Sequence, residues 1–129
     1  MKINKYSNRI KEFEKLLTKL LEKDSLSIKE IVSKSPNSFN FKGVYLISTP
    51  TDSEIVWAGM TDKTIYNRIF DHQRLGHRPS NLKAILKNNS NYPQDIENYL
   101  VRCIEIAKNR RRSLFEHFAI SILEPTFNK

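Results

Sequence analysis

Hydrophobic residues recur along this chain with two different spacings, and the switches between them mark out its elements. Ile10, Phe13, Leu16, Leu17, Leu20 and Leu21 fall at helical spacing in a segment otherwise full of Lys and Glu, which predicts an amphipathic helix over residues 7–23. Ser27 and Glu30 form a capping-box pattern ahead of Ile28, Ile31 and Val32, so a second, short helix follows, and Ser-Pro-Asn-Ser at 35–38 ends it. Next come two short runs rich in β-branched and aromatic residues, 44–47 and 55–57, separated by Thr-Pro-Thr-Asp-Ser at 49–53. That pattern reads as strand, tight loop, strand. Gly59 follows, and Thr61 is placed to cap a helix with Ile65, Ile69 and Phe70 on one side.

Beyond a loop containing Gly76 and Pro79, Ser80 is placed to cap another short helix with Leu82, Ile85 and Leu86 inward; Asn-Asn-Ser-Asn-Tyr-Pro at 88–93 is a polar turn. Residues 97–106 then alternate like a strand. Leu100, Arg102, Ile104 and Ile106 share one face, and Tyr99, Val101, Cys103 and Glu105 share the other. Leu114, Phe115, Phe118, Ala119, Ile122 and Leu123 form the stripe of a last helix, which Pro125 terminates. The order helix, helix, strand, strand, helix, helix, strand, helix predicts a small α/β domain. Its three-stranded sheet would have the first two strands antiparallel and helices on its flanks. Residues 1–38 read as an N-terminal helical extension and 39–129 as the domain proper. The extension shows no chemistry and is expected to pack on the core or to form a dimer interface.

Composition adds a partner class to this outline. At 129 residues the chain is one domain, and 39% hydrophobic with 28% charged residues is ordinary for a globular protein. The net charge of +8 is not ordinary, and a small basic domain is most economically matched to a polyanion, usually nucleic acid. One cysteine, Cys103, excludes an internal disulfide and a Cys-rich zinc site, and its apolar surroundings predict a buried, inert thiol. No long uncharged apolar run and no signal-peptide pattern occur, so a cytoplasmic setting without membrane contact is expected.

A few side chains carry candidate chemistry. Arg110, Arg111 and Arg112 open the last helix, where three cations oppose the helix dipole; a phosphate held by the arginines and the free N–H groups would compensate, and salt screening of a surface run is the plainer account. Arg74 and Arg78 offer two further cations in the preceding loop. Glu116 lies three residues after Ser113, as the acid of a capping box would, and also at the edge of the apolar stripe, where a carboxylate can bind a hard divalent cation. Arg68 and His72, four apart, are neighbours on one helix face. Tyr45, on a strand, reads as packing with its hydroxyl turned to a partner.

Taken together, these residues resemble the GIY-YIG nuclease family over residues 42–129. Gly43-Val44-Tyr45 is similar to the first signature tripeptide, and Trp57-Ala58-Gly59 stands where the second belongs, with Gly59 fourteen residues after Tyr45. Arg68 matches the arginine of the following helix, His72 the position one turn later, and Glu116 the metal-binding glutamate of the last helix. Asn128, twelve residues beyond Glu116, matches the asparagine that ends the motif series. The resemblance implies a DNA endonuclease that hydrolyses a phosphodiester with one divalent metal, Mg²⁺ or Mn²⁺, held by Glu116. Arg68 would stabilise charge on the attacked phosphate, Tyr45 would act on the water as phenolate or through His72, and Asn128 would steady the site. Gly59 would let the strand end come close to the cleft. Trp57 departs from the family tyrosine: it has an indole donor and no acidic hydroxyl, so any mechanism that needs a second phenol is excluded. The alternative reading is a catalytically weak or inactive nucleic-acid-binding module on the same scaffold. On the endonuclease reading a single site cuts one strand, so a double-strand cut needs two visits or a homodimer, for which the N-terminal helices are the candidate contact.

Overall fold

The computed structural model describes residues 3–73 and 81–128. In chain order its helices and strands are α1 (Ile3–Leu21), β1 (Leu26–Ser27), α2 (Ile28–Ser33), β2 (Gly43–Ser48), β3 (Ile55–Met60), α3 (Ile65–His72), α4 (Leu82–Lys87), β4 (Leu100–Glu105) and α5 (Asn109–Leu123). The sheet order is β1-β4-β2-β3, with every neighbouring pair antiparallel. The α/β class and the antiparallel hairpin are therefore as expected. The fourth strand is an addition: Leu26 and Ser27 pair with Val101 and Leu100 just before Ser27 turns the chain into α2. Two residues are too short for a periodic signal, and Ser27 is marked in sequence only by its second role as a helix cap.

Strand period, with a register shift of the β2–β3 pair that leaves Val56 beside Trp57 on one face, divides the core into two layers. Tyr45, Ile47, Val56 and Val101 point to the face covered by Ile28 and Ile31 of α2, Ile65 and Ile69 of α3, and Leu82 and Leu86 of α4. Val44, Leu46, Ala58 and Ile104 point the other way, against Leu17 and Leu20 of α1 and Phe115 and Ala119 of α5. The N-terminal helices thus pack on the core, one on each face. Burying both faces of β2 explains why all six of its residues are inaccessible.

Local chemistry ends each element where its side chains can satisfy the backbone. The Ser27–Glu30 capping box forms as predicted. Thr61 is not the cap of α3. Its Oγ1 accepts from the Gly43 amide at 3.0 Å, and Thr64 caps the helix by accepting from Asn67 N–H. Ser80 lies outside the described residues, and Asn81 occupies the N-cap position of α4. The last strand begins at Leu100 rather than 97, because Ile96–Asn98 form one turn of 3-10 helix. Among the described residues, no helix is long and apolar enough to cross a membrane.

The far edge of β3 is covered by the C-terminal segment. Thr126 and Phe127 donate backbone N–H groups to Ile55 and Val56, and the Asn128 amide accepts from Ala58 N–H at 2.7 Å and donates to Ala58 C=O at 2.8 Å. Asn128 therefore acts as a short substitute for one more strand residue, which leaves less of the edge open to pairing.

Candidate functional site

The site begins with a register. Tyr45 on β2 sits opposite Gly59 on β3, and Trp57, two residues before Gly59, lies on the same face as both. The Tyr45 ring crosses the space a side chain at 59 would fill: a Cβ there would come within 2.5 Å of Tyr45 Oη and 3.0 Å of Trp57 Nε1. The glycine is what lets a strand tyrosine lie across its neighbour. Trp57 Nε1 donates to Tyr45 Oη at 3.2 Å as a result of that overlap.

Helix α3 brings the third partner. His72 is fully buried, and its Nε2 lies 2.7 Å from Tyr45 Oη. Both the Tyr45 and Trp57 rings meet the imidazole edge-on, with centroids 5.6 and 5.7 Å away. Burial, with the nearby Arg68 charge, holds the His72 pKa well below its ordinary value, so the ring is neutral near pH 7. A backbone donor then decides which nitrogen keeps the proton. Leu82 N–H donates to Nδ1 at 2.9 Å, so Nδ1 is bare and Nε2 carries the hydrogen. His72 is consequently a donor to Tyr45, an arrangement that suits the phenolate form of Tyr45 rather than a route through His72. Two fixed N–H groups thus converge on the phenol oxygen, and neither ring can accept its proton.

Arg68, one turn before His72, acts on the phenol through its charge, and its Nη1 donates to Asn81 Oδ1 at 2.8 Å. In the protein alone burial wins. The Tyr45 pKa lies above its ordinary value through desolvation, opposed by Arg68 and the Trp57 donor, with the Glu116 charge pushing it further up. Glu116 comes from the opposite side of the sheet, on α5, and reaches the end of β3, where the Met60 amide and Asp62 also act on it. Its pKa is raised, first by burial and then by Asp62, while His117 and the Met60 amide oppose the rise. The capping-box reading of Glu116 falls, because α5 starts at Asn109 behind an N-cap at Lys108, with Ser113 already in the second turn.

A partly buried carboxylate with a second carboxylate acting on it suits a hard divalent cation. Mg²⁺ keeps several waters and needs only one or two protein carboxylates plus phosphate oxygens, so Glu116, with Asp62 beside it, fits that demand. The neighbouring concavity is lined by Met60, Thr61, Asp62, Lys63, Thr64, Asn67, Arg68 and Asp71. It offers both signs of charge between the end of β3 and Arg68.

The structure thus brings Tyr45, Trp57, Gly59, Arg68 and His72 together, with Glu116 at the flank. Gly43 contributes through the fold: a Cβ there would meet the Ile104 carbonyl oxygen at 2.0 Å. Asn128 acts through β3, its side chain bonding the Ala58 backbone in both directions. The triple arginine does not form one anion cradle. Arg112 is 2% exposed and donates to the Ile106 and Ala107 carbonyls and to Asn109 Oδ1. Arg111 pairs with Glu12 of α1, and Arg110 is left exposed at the helix start. Arg74 and Arg78 lie outside the described residues. Asn81 was not foreseen. Its position at an N-cap was readable, but its bond to an arginine thirteen residues back was not. Compared with models of known protein families, with curated proteins and with solved structures, the chain matches none.

Proposed function

We propose that the chain is a small metal-dependent DNA endonuclease of the GIY-YIG type, with Glu116 holding Mg²⁺ or Mn²⁺. The observation that carries the reading is the convergence on Tyr45 Oη: residues from β2, β3 and α3, far apart in sequence, aim at one oxygen beside a cationic guanidinium and a half-buried carboxylate. Such an oxygen is prepared to carry negative charge, because His72 and Trp57 offer it hydrogens and nothing among them accepts its proton. Tyr45, once ionised, takes a proton from the attacking water. Arg68 spends one nitrogen on Asn81 and offers other N–H groups to phosphate oxygens, where a planar fork is well suited. A divalent cation at Glu116 supplies positive charge to the scissile phosphate and, by replacing a bare carboxylate charge, favours the Tyr45 phenolate.

Trp57 takes the place of a second phenol as a donor. The indole N–H does not ionise in the working range, so the hydrogen it offers Tyr45 is independent of pH. This supports an active site over a decayed one. DNA as substrate is supported by the net charge of +8. Tyr6 and Ile10, 62% and 50% exposed on α1, are the side chains a homodimer through that helix would cover. Nicking of supercoiled plasmid, with and without Mg²⁺, tests the activity: wild type nicks only with metal, and Glu116→Ala does not. Absence of metal-dependent cutting on duplex, branched and single-stranded DNA overturns it. Retained, steeply salt-dependent DNA binding in that case identifies a binding module on this scaffold.

A further inference from the structure

Two consecutive residues, Asn81 and Leu82, hold the two side chains that α3 contributes to the site. Asn81 stands at an N-cap position, with φ −70° and ψ 135°, yet its side chain makes no capping bond. Its backbone carbonyl still receives the Ala84 and Ile85 amides, so α4 begins normally without it. The residue is 5% exposed, and its Oδ1 accepts from Arg68 Nη1 at 2.8 Å. An asparagine that gives up its local cap to bind a distant guanidinium is serving that guanidinium. Leu82, the next residue, directs its amide at His72 Nδ1 at 2.9 Å.

We propose that Asn81 and Leu82 are the positioning pair of the site, Asn81 aiming the Arg68 fork and the Leu82 amide fixing His72 as the hydrogen donor to Tyr45. The contacts stand on geometry alone, while their catalytic meaning rests on the nuclease reading. Arginine has many rotamers, and only an oriented guanidinium meets a phosphate with two parallel hydrogens. Imidazole has two neutral tautomers, and only the form with hydrogen on Nε2 can donate to the phenol oxygen. One turn of chain removes both freedoms at once. The pair touches side chains of the site rather than the reacting atoms, so its role is positioning.

The test uses the full-length protein, with Asn81→Ala and Asn81→Asp. Nitrogen-15 NMR of wild type at pH 7 should show His72 protonated at Nε2 and bare at Nδ1; hydrogen on Nδ1 overturns the assignment. The Arg68 guanidinium should give a slowed, resolved signal in wild type and in Asn81→Asp, which keeps an oxygen acceptor, and lose it in Asn81→Ala. An unchanged Arg68 signal in the alanine variant also overturns it. In metal-dependent nicking, Asn81→Ala should lower kcat by about tenfold to a hundredfold with KM little changed, and Asn81→Asp should restore most of it. A rise in KM with kcat unchanged, or no rescue by aspartate, refutes positioning. Wild type that cuts nothing defeats the nuclease reading, and the NMR measurements still decide the pair.

Discussion

Replacing Trp57 by phenylalanine removes one hydrogen from Tyr45 and keeps an aromatic ring in place. Trp57 Nε1 lies 3.2 Å from the phenol oxygen, and the rest of the ring packs edge-on against His72. A hydrogen bond to a neutral acceptor contributes about 0.5–1.5 kcal/mol net, and one to a charged acceptor about 1.5–3 kcal/mol. Losing the donor therefore disfavours phenolate over phenol by about 1 kcal/mol, which at about 1.36 kcal/mol per unit raises the Tyr45 pKa by somewhat less than one unit. The sign is fixed, since a donor can only favour the anion. The pH dependence of single-turnover nicking at saturating Mg²⁺ should shift to higher pH by that amount. Near pH 7 the rate should fall several-fold, and it should recover as pH rises. Trp57→Tyr, which returns a hydroxyl donor, should move the profile back. Carbon-13 NMR of Cζ-labelled tyrosine follows the same ionisation without activity. A profile that superimposes on wild type, or a loss that is the same at every pH, would show that Trp57 only fills space and that the donor-surrounded oxygen is not what the site uses.

The remaining expectations separate fold from site. Gly59→Ala pushes on the tip of a side chain and should abolish nicking at modest cost in stability, whereas Gly43→Ala meets a backbone carbonyl and should lower the denaturation midpoint strongly. Asn128→Ala gives up two bonds to Ala58 and should destabilise by about 1–3 kcal/mol in urea unfolding. Arg112→Ala should cost about 2–3 kcal/mol by leaving buried carbonyls unpaired, while Arg110→Ala should leave stability within about 0.5 kcal/mol and reduce the salt slope of DNA binding by about one. His72 is held neutral, with a folded pKa below that of the unfolded chain, about 6.5. Below that pH only the unfolded state takes up the proton, so stability present above it is lost as pH falls, by up to about 1.36 kcal/mol per unit. Urea midpoints of wild type and His72→Gln should converge as pH is lowered, since contributions such as Glu116, whose raised pKa acts with the opposite sign, are common to both.

Why the sequence exposed some of this and hid the rest follows from the range of each interaction. The strands of the hairpin, the alternation along Leu100–Glu105 and the Ser27–Glu30 box are set by neighbours within a few residues, and all three are found, the last strand three residues later than its pattern begins. Thr61 and Thr64 are equivalent as local caps. What separates them is the Gly43 amide, eighteen residues from Thr61, which takes the first hydroxyl and leaves the helix to the second. Arg112 reads like Arg110 and Arg111 until the turn between β4 and α5 presents carbonyls for it to satisfy. The site shows the same division. Tyr45, Arg68 and His72 were visible as residue types on known elements, but which of them gives a proton and which receives one was not. That depended on a backbone amide at Leu82, a group every residue except proline carries and no sequence pattern marks. The same amide changes the meaning of Trp57. With His72 an acceptor, a tryptophan in place of an acidic hydroxyl would break a proton relay. With His72 a donor there is no relay to break, and the indole is one more hydrogen on an oxygen already given one.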